Sequence, residues 1–137
     1  MKILIMGLPG SGKTHFARQL LAALPAGAIH YNADEVRATI NRHLGFSAYD
    51  REHQAYTMGW LCEKVHSTGG IAVADFVCPT PKTRALFGHD CTTVFINTID
   101  AGRFHDTNRM FQRPISPDYT LTDWADSDDL ITRIITP

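Results

Sequence analysis

The stretch Gly7-Leu8-Pro9-Gly10-Ser11-Gly12-Lys13-Thr14 constrains this chain more than any other. It fits G-x-x-x-x-G-K-[ST], a glycine loop that cradles phosphate groups. At average composition such a match arises by chance in roughly one chain of this length in two hundred, so it is informative before its context is considered. The context agrees. Ile3-Leu4-Ile5-Met6 precedes the loop as an apolar strand, and Phe16 to Leu24 follows it with helical character. Glycines let the backbone curl close to a polyphosphate with its N–H groups pointing inward. The helix that follows adds its positive end. Lys13 then reaches the β- and γ-phosphates of ATP, and the Thr14 hydroxyl holds Mg²⁺. The bland alternative is a glycine-rich turn that happens to precede a helix.

The chain has 137 residues, which predicts a single domain over 1–137 with a substantial core. No apolar run approaches a membrane span, and Lys2 followed at once by a strand gives the expectation of no targeting segment. Cys62, Cys78 and Cys91 are odd in number and lack C-x-x-C spacing, which argues against a disulfide framework and a zinc site. These features predict a cytoplasmic protein with no membrane partner. The net charge of −1 excludes a strong bulk attraction to nucleic acid but not a local basic groove.

Apolar and helical patterns alternate along the chain. Strands are expected at 2–6, 28–31, 71–77, 92–96 and 119–122. Helices are expected at 13–24, 35–42, 50–67, 79–87 and 128–135, the second of them capped by Asn32 or Asp34. Residues 98–117 are polar, Arg-rich and weakly periodic, and read as a lid with partial helix. This order implies a three-layer α/β/α fold with a mostly parallel five-stranded sheet, and together with the glycine loop a P-loop kinase fold is expected. Ligands in such sheets sit beyond the carboxyl ends of the strands.

That edge gathers the candidate chemistry. Asp34 follows the second strand, where a carboxylate can take the proton of an acceptor hydroxyl or simply cap a helix. Arg37, one turn on, suits an anionic group on the acceptor, with a surface pair to Asp34 as the alternative. Asp75 is a lone charge in an apolar strand. It can hold Mg²⁺, brace Arg37, or be a buried carboxylate satisfied by backbone donors. Arg103, Arg109 and Arg113 are lid candidates for closing on phosphates, or ordinary solvated residues. The seven histidines show no metal-ligand spacing and receive no role. Met58 and Trp60 read as core positions.

Asp34-Glu35-Val36-Arg37, Asn41, Leu44-Gly45-Phe46-Ser47 and Asp50-Arg51-Glu52 resemble the D-N-[VI]-R, L-N, L-G-F-S and D-R-E-N segments of adenylylsulfate kinases. Phe76-Val77-Cys78-Pro79 is similar to the F-I-S-P segment of that family. With the P-loop, the resemblance spans residues 3–97. It implies transfer of the ATP γ-phosphoryl group to the 3′-hydroxyl of adenylylsulfate. Arg37 and Arg51 would contact the phosphosulfate, Phe46 would stack on the acceptor's adenine, and the backbone at Phe76, Val77 and Cys78 would line the pocket. The chain departs from the pattern at Glu35, His53 and Asn32. In the lid, Arg103 to Phe111 replaces R-D-x-K-G-L-Y.

A second resemblance competes. The P-loop with Ala17-Arg18, and Asn32-Ala33-Asp34-Glu35-Val36-Arg37 as N-x-D-[DE]-x-R, is similar to phage-type polynucleotide 5′-hydroxyl kinases. It implies a short nucleic-acid acceptor or a hydroxymethyl-pyrimidine in DNA, with Asp34 as base and Arg37 on a phosphate. The favoured partner is a small-molecule nucleotide acceptor, with a homodimer expected by analogy. A module that only binds nucleotide is the reading of another class.

Overall fold

The computed structural model describes residues 1–136. Strand β1 (Lys2–Met6) is buried along its whole length, because parallel neighbours pair with it on both sides and helices cover both of its faces. The elements follow as α1 (Lys13–Ala23), β2 (Ile29–Asn32), α2 (Ala33–Ala38), α3 (Ala48–His66), β3 (Ala72–Asp75), α4 (Pro81–Phe87), β4 (Thr92–Ile96), α5 (His105–Met110), β5 (Tyr119–Leu121) and α6 (Ser127–Ile135). A 3₁₀ turn, Trp124–Asp126, leads into α6.

The sheet order is β2-β3-β1-β4-β5, and every pairing is parallel. The expected sheet was mostly parallel; the observed one is wholly so. Alternation along β1 divides the core into two. Ile3 and Ile5 pack with Phe16, Ala17 and Leu20 of α1 and with Leu130, Ile131 and Ile134 of α6. Leu4 and Met6 face Ala55, Met58 and Cys62 of α3 and Phe87 of α4. Three layers result. β1 lies between β3 and β4, so the chain leaves it toward opposite sides at its carboxyl end, where a crevice forms.

Several sequence expectations need correction, among them the third strand, which ends at Asp75 and not at residue 77. Helix α2 stops at Ala38, not residue 42, because Asn41 turns inward to donate to Gln54 Oε1 at 2.8 Å. Helix α3 begins at Ala48, capped by the Ser47 hydroxyl. Trp60 is 52% exposed while Met58 is fully buried. Residues two apart on a helix point about 200° apart, so only one of the pair can face the core.

Candidate active site

At the end of β1 the chain curls through the glycine loop into α1. Gly10 and Gly12 adopt left-handed angles, φ 84° and 99°. A Cβ on Gly12 would stand 2.3 Å from Trp124 Cζ2, so space as well as conformation requires glycine there. No side chain caps α1, which leaves its first N–H groups to a ligand, as an anion site needs. Lys13 Nζ donates to Leu8 O at 3.0 Å, inside the loop. Burial pushes its ammonium down to about 8, against the pull of Asp75 and Asp34, while Arg103 pushes in the same direction as burial.

A cavity of about 930 Å³ opens beside this loop. Lys13 and Thr14, Asp34 and Arg37 of α2, and Phe46 with Arg51 all line it. Phe76, Val77 and Cys78, just beyond β3, and Arg103 to Thr107 complete the lining. Among the described residues no side chain or backbone group donates a hydrogen bond to the exposed Asp34 carboxylate. Asn32, not Asp34, caps α2, which leaves Asp34 available to an acceptor. Arg37 donates to Gly45 O at 2.7 Å and lies 4.3 Å from the Phe46 ring centroid. The surface pair with Asp34 is absent. Arg51 donates to Phe46 O at 2.9 Å and to Thr107 Oγ1 at 3.0 Å. Burial, then the Arg51 charge, lowers the Arg37 pKa, and burial lowers that of Arg51. Two guanidinium groups held so near each other favour a shared anion. Phe46 is 66% exposed and lines the cavity, with Arg37 over its ring and Arg51 Cζ 5.6 Å from the ring centroid. Cys78 takes φ 47°, a strained turn for a side-chain-bearing residue, and Arg84 donates to its carbonyl at 3.2 Å.

Asp75 is buried at the end of β3. Its partners are the side chains of Thr14, His30 and Asn32, so neither the brace to Arg37 nor satisfaction by backbone donors is observed. The Thr14 hydroxyl donates to Asp75 Oδ1 at 2.9 Å. Hydroxyl and carboxylate oxygens are hard donors that fit Mg²⁺, which takes one or two protein ligands beside phosphate oxygens. Among the described residues no group of three or more His, Cys, Asp or Glu could hold a metal without such help.

The three arginines of the lid separate. Arg103 lines the cavity, and its Nε is 3.7 Å from where a Cβ on Gly10 would lie. Arg109 pairs with Asp106 at 2.9 Å and is 80% exposed, and Arg113 donates to Asn97 Oδ1 at 3.0 Å. Neither lines the cavity. Residues 102–108 form a knot closed by Gly102 and Asn108, at 2.8 and 2.9 Å. A second recess of about 450 Å³ adjoins the P-loop, against His15, Thr98, Asp123 and Trp124. Sequence reasoning missed His30, Gln54 and Trp124. For His30 a signal existed: alternation along the second strand places it on the same face as Asn32.

Residues 1–113 match the family model described as adenylylsulphate kinase. A bifunctional enzyme CysN/CysC of Rhodopirellula baltica is 36% identical over 121 residues, covering 81% of this chain and 18% of that protein. An adenylyl-sulfate kinase of Clostridium kluyveri is 32% identical over 98 residues, covering 66% of this chain and 49% of the relative. The chain thus spans less than half the length of these curated relatives. The Mycobacterium tuberculosis APS kinase CysC, solved in complex with AMPPNP and APS, superposes with a TM-score of 0.80 at 24% identity, covering 98% of this chain and 95% of that one. These matches fall on the adenylylsulfate side of the two resemblances and lend no support to a nucleic-acid acceptor or a homodimer. No helix among the described residues is long and apolar enough to cross a membrane.

Proposed function

The chain belongs to the adenylylsulfate kinase family, and from that premise we propose that it transfers the γ-phosphoryl group of ATP to the 3′-hydroxyl of adenylylsulfate. The observation that carries this reading is one continuous cavity. It brings Lys13, Asp34, Arg37, Phe46, Arg51 and the 76–78 backbone around a single space beside the P-loop.

In this reading the loop amides and Lys13 hold the β- and γ-phosphates. Thr14 and Asp75 would hold Mg²⁺, which would offset the negative charge of the phosphate oxygens. The base of ATP extends into the smaller recess, with the Trp124 indole as an apolar wall. On the acceptor side, Arg37 and Arg51 take the phosphosulfate, Phe46 stacks on the adenine, and the 76–78 backbone closes the pocket. Asp34 accepts a hydrogen bond from the 3′-hydroxyl. As the acceptor oxygen bonds to the γ-phosphorus, the bond from that phosphorus to the β-bridging oxygen breaks and the proton passes to Asp34. The chain acts as one domain. Its segment 98–117 is the lid, and Arg103 is the arginine that faces the developing charge. ATP as donor suits a cytoplasmic setting.

Incubation with γ-labelled ATP and each of three acceptors tests the reading: adenylylsulfate, a 5′-hydroxyl oligonucleotide and hydroxymethyl-pyrimidine DNA. Label is expected on adenylylsulfate alone. Label on either nucleic acid, or on no acceptor, would overturn it.

A further inference from the structure

Strand β2 reads Ile29-His30-Tyr31-Asn32. Alternation along it turns Tyr31 toward the α3–α4 core and sends His30 and Asn32 to the opposite face, the one covered by α1. β3 runs parallel beside it, with Asn32 opposite Asp75 and His30 opposite Val73. Three side chains from two neighbouring elements therefore converge on one buried carboxylate.

They divide its two oxygens between them. Thr14 donates to Oδ1 at 2.9 Å. His30 Nε2 holds Oδ2. Asn32 Nδ2 lies 3.3 Å from each oxygen and 3.1 Å from Thr14 Oγ1. Carboxylate oxygens accept only, so the proton of the imidazole contact sits on Nε2. The His30 side chain is 13% exposed and the Asp75 side chain 3%, so little water is present to take over the bond. A carboxylate beside a cation site has a free rotation to lose, and a partner on the oxygen away from that site fixes it in advance.

We propose that His30 is a positioning residue for the Mg²⁺–ATP site, clamping Asp75 through Oδ2 so that Oδ1 stays turned to Thr14. The proposal rests on the reading that ATP and Mg²⁺ occupy the P-loop. His30 does not line the cavity, and its side-chain hydrogen bond goes to Asp75. Its effect travels through Asp75 alone, and the Asn32 contacts, longer and shared between three atoms, do not replace it. β2 is the edge strand, tied to β3 by its backbone. A change at His30 therefore alters the clamp and leaves the sheet paired.

Two variants isolate the clamp. His30→Gln keeps an N–H donor where Nε2 stands. His30→Asn carries its donor only as far as Nδ1, too short to reach Asp75. The full chain is melted with saturating ATP across an Mg²⁺ series, and the Mg²⁺ concentration giving half of the added ATP-dependent stabilisation is read. His30→Asn is expected to raise that midpoint about 10–100-fold, the usual cost of losing an outer partner of a metal ligand. His30→Gln should stay within about threefold of the unchanged chain. Without ligand His30→Asn should melt below His30→Gln, because it leaves a buried carboxylate oxygen with only the longer Asn32 contact, whereas the shift that ATP gives without Mg²⁺ should be alike in the two variants. A His30→Asn midpoint equal to that of the unchanged chain would overturn the proposal, as would equal midpoint shifts in both variants. An unchanged chain that ATP does not stabilise at any Mg²⁺ concentration would overturn the nucleotide reading itself, and this proposal with it.

Discussion

Lys13 is held inside the P-loop with its pKa pushed down to about 8, and the sign of its titration can be followed. The unfolded chain keeps the proton up to about 10.5, so the free protein gains stability as pH rises from about 8 through that value. Nucleotide binding runs the other way. A triphosphate draws the proton back onto Lys13, so metal-free ATP affinity should fall as pH rises from about 7.5 to 9.5, by at most about 25-fold. Calorimetry in a chelating buffer checks this, and a flat profile would show that Lys13 does not meet the phosphates. Asp34 gives a complementary test. Its carboxylate is exposed and receives no hydrogen bond among the described residues, so Asp34→Asn should leave the melting temperature nearly unchanged. It should lower kcat about 10²–10⁴-fold, the range of a lost general base. Steady-state kinetics beside a melting curve separates the two effects. The P-loop, Asp34 and Arg37 were legible in the sequence because each is a local pattern. Asp75 was legible as an odd charge but its partners were not. The bonds to Thr14, His30 and Asn32 cross from α1 and β2 to β3, and no spacing along the chain encodes them.

At the scale of elements, α3 and α4 pack together on the face of the sheet that Leu4 and Met6 line. Gly59 lets α3 lie against α4, since a Cβ there would stand 2.2 Å from Phe87 O. On an exposed helix Gly→Ala stabilises by about 0.5–1 kcal/mol. Here the backbone must give way, and Gly59→Ala should destabilise by about 1–3 kcal/mol. Urea unfolding gives the sign, and a stabilised variant would contradict the packing described. The lid segment makes a second prediction. Arg103 reaches the cavity while Arg109 and Arg113 are engaged outside it. Arg103→Ala should therefore lower kcat about 10²-fold or more, as removal of a transition-state donor does. Arg109→Ala and Arg113→Ala should each change kcat less than about threefold, the effect of an exposed pair. Initial rates of the three variants decide it. Composition could mark 98–117 as polar and Arg-rich but could not choose among its arginines. That choice depends on the Gly102–Asn108 knot and on the Arg51–Thr107 bond. The early end of α2 was hidden for the same reason, because the buried Asn41–Gln54 pair competes with a helical pattern that continues to Arg42.

For the whole molecule, strand and helix alternation was enough to predict layers and ligand edge, since parallel strands need crossovers and crossovers cover both faces. The sheet order could not be read from that alternation. It places β3 and β4 on either side of β1, and this brings the glycine loop, Asp75 and the 76–78 turn to one crevice. Two recesses adjoin the P-loop, the larger lined by Lys13 and Asp34 and the smaller by Trp124, and the proposed reaction joins two nucleotides held in them. The measurement that bears most directly on this is ³¹P NMR of adenylylsulfate turned over with ATP by the full chain. The account predicts a new phosphomonoester on the 3′-oxygen, formed in step with ADP and absent with Lys13→Ala. ADP appearing without that ester, or the ester forming unabated in the variant, would contradict it.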